Sequence, residues 1–183
     1  ACTGQCGDSD WVAHVLSSAE DGHYTITGLT AGAEYKIKFF TTNVPGYVAE
    51  LYNDKIGRAS ADPVTATSTG AAADAELEFA SDVTGAVKDI DGNPVAGVMV
   101  YAYAAGVSDE WVNNATTTDI FDASGNNYTL SGLSASADYH IYFDTDKLTS
   151  VSYPGEWYDN QSDDGSLTAP VSAARVNGGA SRI

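Results

Sequence analysis

Hydrophobic and polar residues alternate at period two in short runs along this chain, and no segment carries a sustained stripe at helical spacing. Tyr35, Ile37 and Phe39 alternate with Lys36 and Lys38, and Tyr139, Ile141 and Phe143 with His140 and Tyr142, as in strands with one buried face. The runs "HYTITGL", "NYTLSGL", "VTATST", "AELEFA", "DVTGAVKD" and "AGVMVYAY" predict further strands. Asp21-Gly22, Asp91-Gly92 and Ser124-Gly125-Asn126 punctuate them as turns, because Gly tolerates positive φ and Asx side chains bond their own backbone. Many short strands closed by turns predict an all-β, antiparallel fold.

The pattern occurs twice. "GHYTITGLTAGAEYKIKFF" (22–40) returns as "NNYTLSGLSASADYHIYFD" (126–144), and "YVAELYNDK" (47–55) as "YPGEWYDNQ" (153–161), each followed by a Pro-Val run, "PVTATST" and "PVSAARV". A copied unit of this size is a supersecondary module or a small domain. The repeat predicts two tandem antiparallel β-sandwich modules, 1–82 and 83–183, with the boundary near Asp82. Setting Trp11 against Trp111 and Tyr24 against Tyr128 places Ala1 opposite Tyr101, so the first module is expected to lack a counterpart of "VTGAVKDIDGNPVAGVMV". Setting Val64 against Val171 places Ile183 opposite Glu76, so the second is expected to stop before the strand that the first supplies as "AELEFA".

The residues Gly85 to Val87, Asp89 to Pro94, Val95 to Val98, Tyr128 to Leu133 and Tyr139 to Phe143 form a series of turn and core motifs, completed by Ala31-Gly32 in the first copy. In these the chain resembles the carboxypeptidase regulatory-like family, a transthyretin-like, immunoglobulin-like sandwich related to the collagen-adhesin B-type repeats. The segments "GYVAELYND" and "YPGEWYDN" resemble a subgroup found as tandem repeats in large secreted proteins. The resemblance implies display at a cell surface as a stalk, an adhesive module or an accessory domain beside a secreted enzyme. It brings no catalytic residues.

Charge narrows the partners. Lys and Arg total 8 against 25 Asp and Glu, a net charge of -17, which repels nucleic acid and anionic membrane surfaces. No apolar run approaches the roughly 20 residues that span a bilayer. Such acidity suits saline surroundings, Ca²⁺ or cationic partners. The chain begins at Ala, with no basic-then-apolar leader, as a processed protein or a piece of a longer one would. Cys2 and Cys6 fit a small disulfide ring or, in a reducing compartment, two free thiols; a composition rich in Gly, Ser, Thr, Asp and Tyr favours the ring and a secreted, extracellular protein. The sequons at Asn114, Asn127 and Asn160 are candidate glycosylation sites in such a protein.

Enzyme signatures are absent: there is no G-x-S-x-G, H-E-x-x-H or phosphate loop, and His14, His23 and His140 lie in separate segments. Asp89, Asp91 and Asn93 have the alternate spacing of a calcium loop without its terminal Glu, and Asp159, Asp163 and Asp164 form a second oxygen-rich group. Each is a candidate Ca²⁺ site or else a solvated loop. Trp11, Trp111, Trp157 and Tyr158 either stack on glycans or a protein partner, or cover the edge of each small core. The sequence thus points to a non-catalytic extracellular structural protein, part of a surface filament, fibre or adhesive stalk. It would associate head to tail by strand donation or with neighbouring modules of a longer chain. The alternative is a carbohydrate-binding accessory module of a secreted hydrolase.

Overall fold

The computed structural model describes residues 1–3, 11–105, 111–149 and 153–158, and the backbone alone at 161–162 and 176–177. Among the described residues the regular structure is short antiparallel strands with one 3-10 turn at Arg58–Ser60, and no helix is long and apolar enough to cross a membrane. The chain divides into two compact units, Ala1–Asn43 with Ala49–Leu77, and Val44–Val48 with Glu78–Ile183. Val44–Val48 belongs to the second because the Val48 N–H donates to the Glu78 carbonyl at 2.9 Å and the Ala80 N–H to that of Gly46 at 2.8 Å. Tyr47 also stacks on Phe79, ring centroids 5.0 Å apart.

In the first unit β1 (Glu34–Lys36) pairs with β4 (Pro63–Thr65), and β2 (Lys38–Phe39) with β3 (Glu50–Leu51). Alternation decides which residues go inside: Tyr35 and Ile37 are buried with Ala1, and Ile26, Leu29, Phe39 and Val64 pack against them. Cys2 lies between Lys36, with which it exchanges backbone bonds at 3.0 and 2.9 Å, and Trp11. It is fully buried and disulfide-bonded; Cys6 lies outside the described residues.

The second unit has more strand. A sheet runs in the order β11 (Gln161–Ser162), β10 (Glu156–Trp157), β9 (Asp138–Asp144), β6 (Met99–Ala104), β7 (Trp111–Thr116), and β12 (Val176–Asn177) also pairs with β9. A separate pair joins β5 (Ser81–Gly85) to β8 (Tyr128–Leu133). Val100, Ala102, Tyr139 and Ile141 of the larger sheet are buried, as are Val83, Leu130 and Leu133 of the pair. Tyr128 meets Phe143 edge-on with ring centroids 6.0 Å apart, so β8 turns its apolar face toward β9.

The repeat is written into the hydrogen bonding. Tyr35 pairs with Val64 and Phe39 with Glu50 in the first unit; Tyr139 pairs with Val176 and Phe143 with Glu156 in the second. The Tyr35 hydroxyl accepts the Thr30 N–H at 3.0 Å, and that of Tyr139 accepts the Ser134 N–H at 2.9 Å. Cys2 stands between Lys36 and Trp11 as Tyr103 stands between His140 and Trp111. Two expectations are corrected by this register. Val64 corresponds to Val176 rather than Val171, because the residue facing the repeated Tyr, not the Pro-Val dipeptide, occupies the equivalent place. Ala1 corresponds to Ala102 rather than Tyr101, one step further along the strand.

Candidate functional site

The two units differ most at one edge. "YTITGL" at 24–29 and "YTLSGL" at 128–133 are near copies, and Gly28 and Gly132 both take φ of 79°, a left-handed geometry that costs Gly little. In the second unit this segment is β8, its Leu130 facing Val83 of β5 and its Tyr128 facing Gly85. The Tyr128 ring lies so close over Gly85 that a Cβ built there would collide with the phenol. In the first unit residues 24–29 pair with no strand among the described residues. Tyr128, Leu130 and Leu133 are buried, whereas Tyr24, Ile26 and Leu29 are half-buried.

In the first unit residues 24–29 instead border a cleft, with residues 70–75 along it. Its volume is about 860 Å³, and Tyr24, Ile26, Leu29, Tyr35, Ile37 and Phe39 line it. The wall is already arranged for an occupant, since Tyr24 meets Phe39 edge-on at 5.8 Å as Tyr128 meets Phe143. The Tyr24 hydroxyl donates to the Ala73 carbonyl, and burial followed by the nearby Asp74 charge raises its pKa. The cleft presents apolar side chains beside a backbone that enters no ladder among the described residues, the chemistry that accepts a strand.

No protein-family model, curated protein or solved structure matches the chain.

The other candidate residues take separate places. Asp89 Oδ1 accepts the N–H groups of Asp91 and Asn93 at 3.0 and 2.7 Å, and its Oδ2 accepts Asn93 Nδ2 at 3.0 Å. Asp122 makes the same three bonds to Ser124 and Asn126. "DIDGN" and "DASGN" are thus twin loops in which a carboxylate organises its own turn; the shared D-x-x-G-N spacing is the signal that the sequence reading missed. These bonds, from the Asn93 side chain first in one loop and the Asn126 N–H first in the other, hold both carboxyls below their ordinary range. No group of three or more metal-ligating side chains comes together among the described residues, and Asp159, Asp163 and Asp164 lie outside them.

Asn127 is a correction. It is 3% exposed, and its Oδ1 accepts the Val87 N–H at 2.8 Å while Nδ2 donates to the carbonyls of Val87, Val95 and Thr118. A glycan cannot be carried on an amide so enclosed in the folded chain. Asn114 sits within β7, and Asn160 lies outside the described residues. Trp157 is also enclosed, 1% exposed between Tyr103 and Tyr142 at ring distances of 5.3 and 5.0 Å. Tyr158 is half-buried, and its N–H donates to the Ile141 carbonyl at 2.8 Å. Trp11 stands edge-on to Phe40, and Trp111 is 49% exposed beside Tyr101.

Burial drives the Tyr128 phenol well above the ordinary value of about 10. The neutral form is the one that folds in, so its contribution is complete below about pH 10 and is lost as pH rises above that value. Urea melts of the second unit are therefore expected to shift to lower midpoint as pH rises above about 10. Tyr128→Phe is expected to flatten that fall; an unchanged slope would show that Tyr128 does not titrate in this way.

Proposed function

We propose that this chain is a non-catalytic extracellular structural protein, a segment of a surface filament, fibre or adhesive stalk. In this reading its two units are tandem β-sandwich modules of the carboxypeptidase regulatory-like kind, and they join to further copies by strand donation. The observation that carries it is the edge at 24–29, uncovered in the first unit where β5 covers its counterpart in the second. Tyr24, Ile26 and Leu29 are half-buried along that edge, and an added strand would cover their apolar surface while pairing the backbone beside them. A donor and an acceptor at different places on one surface make a heterologous contact, which need not close into a ring and so propagates.

Purified chain is expected to form linear assemblies in electron micrographs, with a sedimenting fraction that grows with concentration. A single monomeric species from micromolar to millimolar concentration would overturn the reading. The second reading, a sugar-binding accessory module, has Trp111 in its favour, half exposed beside Tyr101. Glycan binding by the monomer that disappears in Trp111→Ala would put it first.

A further inference from the structure

We propose that the cleft of the first unit takes the C-terminal segment 173–183 of a second copy, with Val176 opposite Ile26 and Gly178 under the ring of Tyr24. The inference rests on the strand-donation reading and fixes its donor and register.

The second unit supplies the template. Val83, fully buried, faces Leu130, and Gly85, which faces Tyr128, leaves no room for a Cβ beneath that ring. Ile26 and Tyr24 are the counterparts of Leu130 and Tyr128, and the Tyr24 ring is held against Phe39 in the same way. The acceptor edge therefore selects a strand with an apolar residue two places before a glycine. A side chain at the glycine position meets a phenol, and a polar residue at the apolar position leaves the cleft unfilled.

Val-x-Gly occurs four times in the chain, ending at Gly46, Gly85, Gly97 and Gly178. Gly46 and Gly97 take φ of 103° and 85°, unlike Gly85, the glycine they would have to imitate, and Pro45 has no N–H for a ladder. Gly85 ends β5, whose register with β8 runs from Ser81 to Gly85 inside its own unit. Val176-Asn177-Gly178 remains. Val176-Asn177 forms the two-residue strand β12, paired with β9 at Tyr139 and Asp138, a shorter strand than the five-residue β5.

Charge agrees with the assignment. In a chain of net charge -17, residues 165–183 contain no Asp or Glu and two arginines, Arg175 and Arg182. Asp21 and Asp74 border the cleft. With Val176 opposite Ile26, residues 173–178 lie along 24–29, and Arg182 passes beyond Tyr24 toward Asp21. Residues 173–175 and 178–183 themselves lie outside the described residues.

The test uses the full chain. Gly178→Val is expected to raise the critical concentration for assembly roughly tenfold or more, the equivalent of about 1.4 kcal/mol per junction. The double variant Tyr24→Ala, Gly178→Val is expected to recover most of the loss, since removing the phenol opens the space that the new side chain needs. Thermal melts of the unassembled Gly178→Val chain, unchanged from the parent, keep a folding defect from imitating the result. Assembly that proceeds unaltered with Gly178→Val, or loss that Tyr24→Ala fails to relieve, overturns this donor and register and leaves the filament reading in place. A parent chain that never assembles overturns both.

Discussion

Leu130→Ala will destabilise the second unit by about 2–5 kcal/mol, whereas Ile26→Ala at the matching place in the first will cost about 1 kcal/mol or less in the unassembled chain. The chemistry of the two truncations is nearly the same; the surroundings are not. Leu130 is fully buried, with Val83 of β5 opposite, and deleting its side chain leaves a hole that the surrounding strands cannot close. Ile26 is half-buried along an open cleft, where solvent already replaces some of its contacts. Hydrogen exchange read separately at β9 and at β1 measures the two costs. In assembled material the cost of Ile26→Ala is expected to climb into the range of Leu130→Ala, because a donated strand closes the cleft. Equal costs in monomer and assembly would mean that nothing enters there.

The second large effect lies at Trp157. Trp157→Ala will remove about 3–5 kcal/mol from the second unit, since the indole is 1% exposed and wedged between Tyr103 and Tyr142. Its counterpart in the first unit is Leu51, facing Lys38 as Trp157 faces Tyr142, and Leu51 is also 1% exposed. Both anchor the end of a short strand pair rather than present a surface to a ligand. Trp111→Ala, at 49% exposure, will cost about 1 kcal/mol or less. Urea titration followed by circular dichroism separates the two. A mild Trp157→Ala would return that ring to the list of surface aromatics.

Much of this was legible in the sequence, because period-two alternation and the repeat are local patterns. Tyr35 and Ile37, Tyr139 and Ile141 are buried as their alternation requires. The match of 24–29 to β8 follows from the repeat alone, and the structure adds that 24–29 pairs with no strand among the described residues. Other features depended on geometry that spacing does not encode. Val171 follows Pro170, as Val64 follows Pro63, and Val176 follows Arg175, so the dipeptide favours the wrong valine and only the partner across the ladder, Tyr139, identifies the right one. A carboxylate at a calcium-like spacing looks the same on paper whether it faces solvent or, like Asp89, turns back on its own N–H groups. Asn127 reads as a sequon because a sequon is three letters, whereas its burial depends on Val87 and Val95, facing each other across a turn, and Thr118 closing around its amide.

The aromatic face of β6 and β9 has an optical consequence. Tyr103 and Tyr142 lie 5.3 and 5.0 Å from Trp157, and Tyr101 lies 5.8 Å from Trp111, far inside the distance over which an excited tyrosine passes its energy to an indole. Light absorbed by these phenols will therefore emerge as tryptophan emission, blue-shifted from Trp157 in its dry site and red-shifted from Trp111 at the surface. Trp11 has Phe40 as its ring neighbour. The second unit thus carries two unlabelled reporters of different colour, and a change in their ratio reads whether the face around Trp157 or the surface at Trp111 is disturbed.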